Sequence, residues 1–162
     1  MKKEFVKELD NAIAKHALLD HPFYQMWNKG DLPMDALKEY SKQYYSHVRV
    51  FPRYLGACYA QCDDIEVRQL LLENMCEEDM GEKNHPELWL RFVEGLGVSR
   101  EDAKNSTPLP TTIESVETMK ELTNSENYLE GVAALYAYES QVPEVAETKR
   151  KGLLKGKLLM FT

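Results

Sequence analysis

Apolar residues return every three or four positions along almost the whole chain, and nowhere do they alternate convincingly with polar ones at the period of a strand. That pattern confines the chain to helices packed on helices, an all-α class, and no internal repeat suggests a solenoid. Residues 4 to 19 set Phe5, Leu9, Ile13, Ala17 and Leu18 at helical spacing, and Pro22 breaks this first helix. Phe23, Tyr24, Met26 and Trp27 then cluster before Gly30, either packing over a core or roofing a pocket. Leu37, Tyr40, Tyr44, His47 and Phe51 form one aromatic face of a long helix, which Pro52 is expected to kink. A helix capped by Asp63 or Asp64 buries Ile65, Leu70 or Leu71, and Met75, and Leu88, Trp89, Phe92 and Leu96 continue an apolar face to Gly97. Ser99 with Asp102 resembles a short helix start, and Thr111 with Glu114 forms a capping-box pattern. The helix from about Ser125 carries Leu129, Val132, Leu135, Tyr136 and Glu139 inward; Pro143 disturbs it, and residues 144 to 154 read as helical again. Helices this short and irregular argue for a compact multi-helix bundle with a polar site between helices rather than a coiled coil.

One domain, residues 1–162, is the natural count for this length, and 43% hydrophobic content suffices for a sizeable core. Twenty Lys and Arg against 27 Asp and Glu give a formal charge of −7. Such a surface repels nucleic acid, and no basic stripe interleaved with aromatics offsets it. The N-terminal residues carry acidic groups between apolar ones, unlike a secretory signal, and no run is long enough to span a membrane. Cys58, Cys62 and Cys76 fit no zinc or disulfide framework, so a reducing cytoplasm is the simplest location. Cys58 and Cys62 read best as small core residues. His16 and His21 fall at a helix end and a turn, and His47 reads best as a core histidine bonded to a tyrosine.

Chemistry concentrates between Met75 and Leu90, where Glu78 and His85 stand seven residues apart. Two turns of about 3.6 residues return to nearly the same azimuth, so both side chains could face one site. A carboxylate and an imidazole projected inward are how bundle proteins hold iron or manganese. In a chain with 29% charged residues such a pair also arises by chance, so the spacing alone identifies no ligand. Glu139 is more telling. It lies in the apolar run Leu135, Tyr136, Ala137, Tyr138, where a carboxylate must be paired, protonated or metal-bound, because burying an unpartnered charge is costly. Gly81 and Pro86 are expected to bend the helix between Glu78 and His85.

Four segments, HPFYQMWNKG, LKEYSKQYYSHVRVFPRYLGACYAQCDD, EEDMGEKNHPELWLRFVEGLGV and GVAALYAYESQVPEVAETK, agree in order and spacing with one known family. From residue 8 to about 153 the chain resembles the haem-oxygenase-like diiron oxidases, in the branch of the chlamydial proteins associating with death domains and their bacterial relatives. These share their helical fold with the TenA and PqqC proteins. The resemblance implies that Glu78, His85 and Glu139 are metal ligands. It also implies a last helix with the pattern His-x-x-x-Asp-x-x-His. The chain stops at Thr162 before such a motif, and Met160, Phe161 and Thr162 resemble the start of the segment leading into it. The expectation is therefore a domain lacking its C-terminal helices, able to make half of a two-metal site.

Relatives of this kind are implied to make para-aminobenzoate for folate by consuming one of their own tyrosines, with a lysine as nitrogen source. The matching positions are Tyr24 and Lys149, with Tyr40 and Tyr138 as further tyrosines near the site. Without the resemblance, Tyr24 reads as an amphipathic aromatic at a pocket edge and Lys149 as a solvated charge. A dinuclear Fe or Fe and Mn centre using O₂ and a reductant suits nearby phenols, the side chains most easily oxidised by one electron. Two alternatives remain at this point: a TenA- or PqqC-like enzyme with another small-molecule substrate, or a module binding host death-domain proteins, secreted into a host. A homodimer is expected, with no nucleic-acid or membrane partner.

Overall fold

Prolines and short polar side chains decide where the helices begin. In the computed structural model, which describes residues 2–155, the chain forms ten α-helices and, among the described residues, no strand. They are α1 (Lys2–Ala14), α2 (Pro22–Lys29), α3 (Met34–Val48), α4 (Phe51–Gln61), α5 (Ile65–Asp79), α6 (His85–Gly95), α7 (Arg100–Lys104), α8 (Pro110–Thr123), α9 (Tyr128–Glu139) and α10 (Val142–Lys155). A 3-10 turn at Leu18–Asp20 separates α1 from α2. Met160, Phe161 and Thr162, likened above to the start of a further segment, lie outside the described residues.

The chain divides into two compact units. One comprises Met1–Met34 with Tyr136–Thr162. In it α2 packs along α10, and Tyr136 O–H donates to Asp10 Oδ1 (2.8 Å), tying the end of α9 to α1. The Leu18 N–H donates to Gln141 Oε1 (2.9 Å). The other unit, Asp35–Leu135, pairs α4 with α5 and α8, α5 with α6, and α6 with α7. Tyr45, Leu90, Val93 and Ala103 form a buried cluster here, with Trp89 and Val98 packed against it. Tyr54 is buried, donates to Val116 O (3.2 Å) and so fixes α4 on α8; burial pushes its phenol up to about 12. Cys58 and Cys62 are buried and free, as expected of core residues.

Several boundaries differ from the sequence reading, each for a local reason. The first helix ends at Ala14 rather than near residue 19. Pro22 opens α2, where a missing N–H costs nothing, and His21 caps it by accepting from the Phe23 N–H (3.2 Å). Pro52 acts likewise: the long helix is two, ending at Val48 and restarting at Phe51. Asp64 caps α5 as expected, and Leu71 is buried, but Ile65 and Leu70 are exposed. On α6 the buried positions are Leu90 and Val93, while Leu88 is exposed. Ser99 caps α7 as expected. The capping box at Thr111 does not form; Pro110 opens α8 after Leu109, and Thr112 Oγ1 instead donates to Gln43 Oε1 (3.0 Å). On α9, Leu135 is buried whereas Leu129 and Tyr136 are exposed.

Candidate functional site

Glu78 and His85 meet, but not as two turns of one helix. Glu78 lies in the last turn of α5 and His85 is the first residue of α6, with a turn between the two helices. Gly81 turns at φ 80°, a left-handed conformation that glycine adopts without strain. Asn84 then closes the turn from both ends: its side-chain oxygen accepts from the Glu87 N–H (2.9 Å) and its amide donates to Gly81 O (2.8 Å). Pro86 sits in the first turn of α6 and bends nothing. His85 Nδ1 lies 2.7 Å from Glu78 Oε1, with Glu78 8% exposed and the His85 side chain 52% exposed. One donor is thus buried and the other borders solvent.

Tyr40, from α3, belongs to the same unit. Its ring stacks on Tyr44 (centroids 5.2 Å apart) and meets Trp89 edge-on at 5.9 Å, while Trp89 Nε1–H donates to Ser41 O (2.7 Å).

In the other unit, Tyr24 and Trp27 project from α2 and Lys149 from α10. The Lys149 ammonium lies 5.6 Å from the centroid of each ring. Burial pushes its amine down to about 8 from the usual 10.5. Lys149 is therefore not the solvated charge that its local sequence suggests. Tyr138 and Glu139 are partly buried in the last turn of α9. Sequence reasoning missed Gly152 of α10, which lies against Trp27. The one signal was a glycine inside a helical run, where alanine is otherwise preferred.

Residues 7–157 match the TENA/THI-4/PQQC family. The chain belongs to the TENA/THI-4/PQQC family. Among its relatives, the 4-aminobenzoate synthase of Chlamydia muridarum is 43% identical over 93% of this chain and 64% of its own length. That of Nitrosomonas europaea is 38% identical, over 93% of this chain and 65% of its own. The chain thus spans a little under two thirds of the length of these curated relatives. A solved TenA homologue from Pseudomonas syringae pv. tomato aligns with TM-score 0.73 at 17% identity, covering 96% of this chain and 71% of that one. The all-α, haem-oxygenase-like fold of the TenA and PqqC proteins, expected from sequence, is therefore the fold of this family member.

For a metal ion, the donor chemistry of Glu78 and His85 fits: a carboxylate oxygen and an imidazole nitrogen suit iron and manganese. Among the described residues no group of three or more His, Cys, Asp or Glu side chains is gathered closely enough to hold an ion, so this pair is a partial donor set.

Proposed function

We propose that this TENA/THI-4/PQQC family member makes para-aminobenzoate for folate biosynthesis, as an oxygen-dependent dinuclear-metal oxidase that takes the aromatic ring from its own Tyr24. The names of its relatives support the product. The observation that carries the reading is the placement of the Lys149 amine over the Tyr24 ring. A ring donor and a nitrogen donor lie side by side on two packed helices.

Glu78 and His85 would supply donors to the iron or manganese ions; Glu139 is the further carboxylate that the family resemblance assigns to them, and the described residues do not gather it with that pair into a group of three. When bound, the ions supply the capacity to activate O₂ and draw single electrons from a phenol. Tyr24 is the phenol to be oxidised, and the resemblance adds Tyr40 and Tyr138 as further phenols. Lys149 is the proposed amine. At pH 7 a group with pKa about 8 is roughly one tenth neutral, against less than one thousandth for an ordinary lysine, so burial raises the nucleophilic fraction several hundredfold. The Trp27 ring lies at the same distance from this ammonium, 5.6 Å.

The test incubates the protein, at the full length its gene encodes, with Fe or Mn, O₂ and a reductant. Para-aminobenzoate should appear together with a mass loss mapped to Tyr24, and Lys149→Arg should abolish both. Product from a Tyr24→Phe variant would end the proposal.

A further inference from the structure

We infer that Trp27 and Gly152 form a positioning pair that sets Lys149 over Tyr24. The functional importance of this pair rests on the roles proposed above for Tyr24 and Lys149; its geometry does not. Helix α2 presents Tyr24 and Trp27 three residues apart, hence on one face, and α10 presents Lys149 and Gly152 with the same spacing. The two faces meet.

At Gly152 the approach is too close for any side chain. A Cβ there would lie 2.2 Å from Trp27 O and 2.4 Å from Trp27 Cδ1. One of these atoms is backbone and cannot rotate aside, so any larger residue must separate the helices. Across the same contact, Trp27 Nε1–H donates to Lys149 O (3.1 Å), fixing the height of the lysine backbone along the indole. The indole itself is 3% exposed, and Phe23 braces it edge-on at 5.7 Å while meeting Tyr24 edge-on at 5.4 Å. A lysine side chain has four flexible methylenes and ordinarily carries its ammonium into water. Here its backbone is pinned, and the ammonium lies 5.6 Å from the centroid of each of two rings. Trp27 and Gly152 act through Lys149 rather than on the reacting ring.

The test follows the pH dependence of Lys149 modification by an amine-reactive reagent, resolved by peptide mass spectrometry, beside para-aminobenzoate formed per chain. In the unsubstituted protein the Lys149 midpoint should fall near 8. Gly152→Ala should move it at least one pH unit toward the usual lysine value. Trp27→Phe keeps an aromatic ring and loses the N–H donor; it should shift the midpoint the same way by less and lower product at least fivefold. Gly131→Ala is the control for general loosening. Its Cβ would meet Cys58 Sγ at 2.4 Å in the other unit, so it should lower the melting temperature and leave the Lys149 midpoint in place. Should Gly152→Ala fail to fold, Trp27→Phe decides. Folded variants that keep the original midpoint would overturn the inference. Shifted midpoints with no para-aminobenzoate from any protein, the unsubstituted one included, would uphold the positioning pair and reject the proposed function.

Discussion

A lysine held near 8 is a group that the native state tolerates at a cost. Its folded pKa lies below the unfolded value of about 10.5, so the unfolded chain binds the proton more tightly. The cost is fully present below pH 8 and is relieved as pH rises from about 8 to about 10.5. At 1.36 kcal/mol per unit it is on the order of 3 kcal/mol at neutral pH, an upper value. Lys149→Met is therefore expected to raise the melting temperature at pH 7 while abolishing para-aminobenzoate. Melting curves recorded across pH should show the advantage shrinking above pH 8; an advantage independent of pH would contradict the assignment to the amine. Cys58 shows the opposite use of burial. Its thiol is pushed up to about 11 and packs as a core group beside Thr123 O, which is what its place in an apolar run suggested. Lys149 gave no such sign, because nothing in its flanking charges reveals that Trp27 and Tyr24 come to cover it.

Between α5 and α6 the chain shows how a correct pairing can follow from an incorrect element. The seven-residue spacing of Glu78 and His85 suggests one helix, yet their contact is made across a break, because α5 stops at Asp79 and α6 restarts at His85. Helical periodicity cannot tell these cases apart; Gly81 and Asn84 can, since a left-handed glycine followed by a capping asparagine marks an end and a restart. Asn84→Ala removes the cap and the bond to Gly81 O, and should destabilise the protein by about 1 kcal/mol, measured by denaturant titration. If Glu78 and His85 share an ion, the same variant should bind Mn²⁺ several-fold more weakly in equilibrium dialysis. Unchanged affinity in a destabilised variant would separate the turn from the donors. Proline is legible as punctuation but not in sense: the pattern suggests a break at Pro22 and a kink at Pro52, and both residues stand at the opening of helices.

Taken whole, the molecule is acidic, and several of its surface carboxylates pair with arginine. Arg100 contacts both Glu87 and Glu94, and Arg150 contacts Glu147. The guanidinium groups hold Glu87 and Glu147 down to about 2, below the unfolded value of about 4.5. The folded state therefore binds these protons less tightly, and their contribution is present above pH 4.5 and lost as pH falls toward 2. Stability to denaturant should drop across that window, and Arg100→Gln should flatten part of the drop. The all-helical class was legible throughout, because it needs only periodicity. The approach of α10 to α2 was not, because it depends on an absent side chain at Gly152 meeting a residue 125 positions away. That approach has a last consequence. If Tyr24 is spent in the reaction, each polypeptide is a cartridge fired once, and the empty casing differs from the loaded one. Lys149 is left with a single aromatic neighbour and a void beside it, so a working culture should hold two populations, fresh and used, the used one softer by roughly 2 kcal/mol and its indole emission shifted to the red.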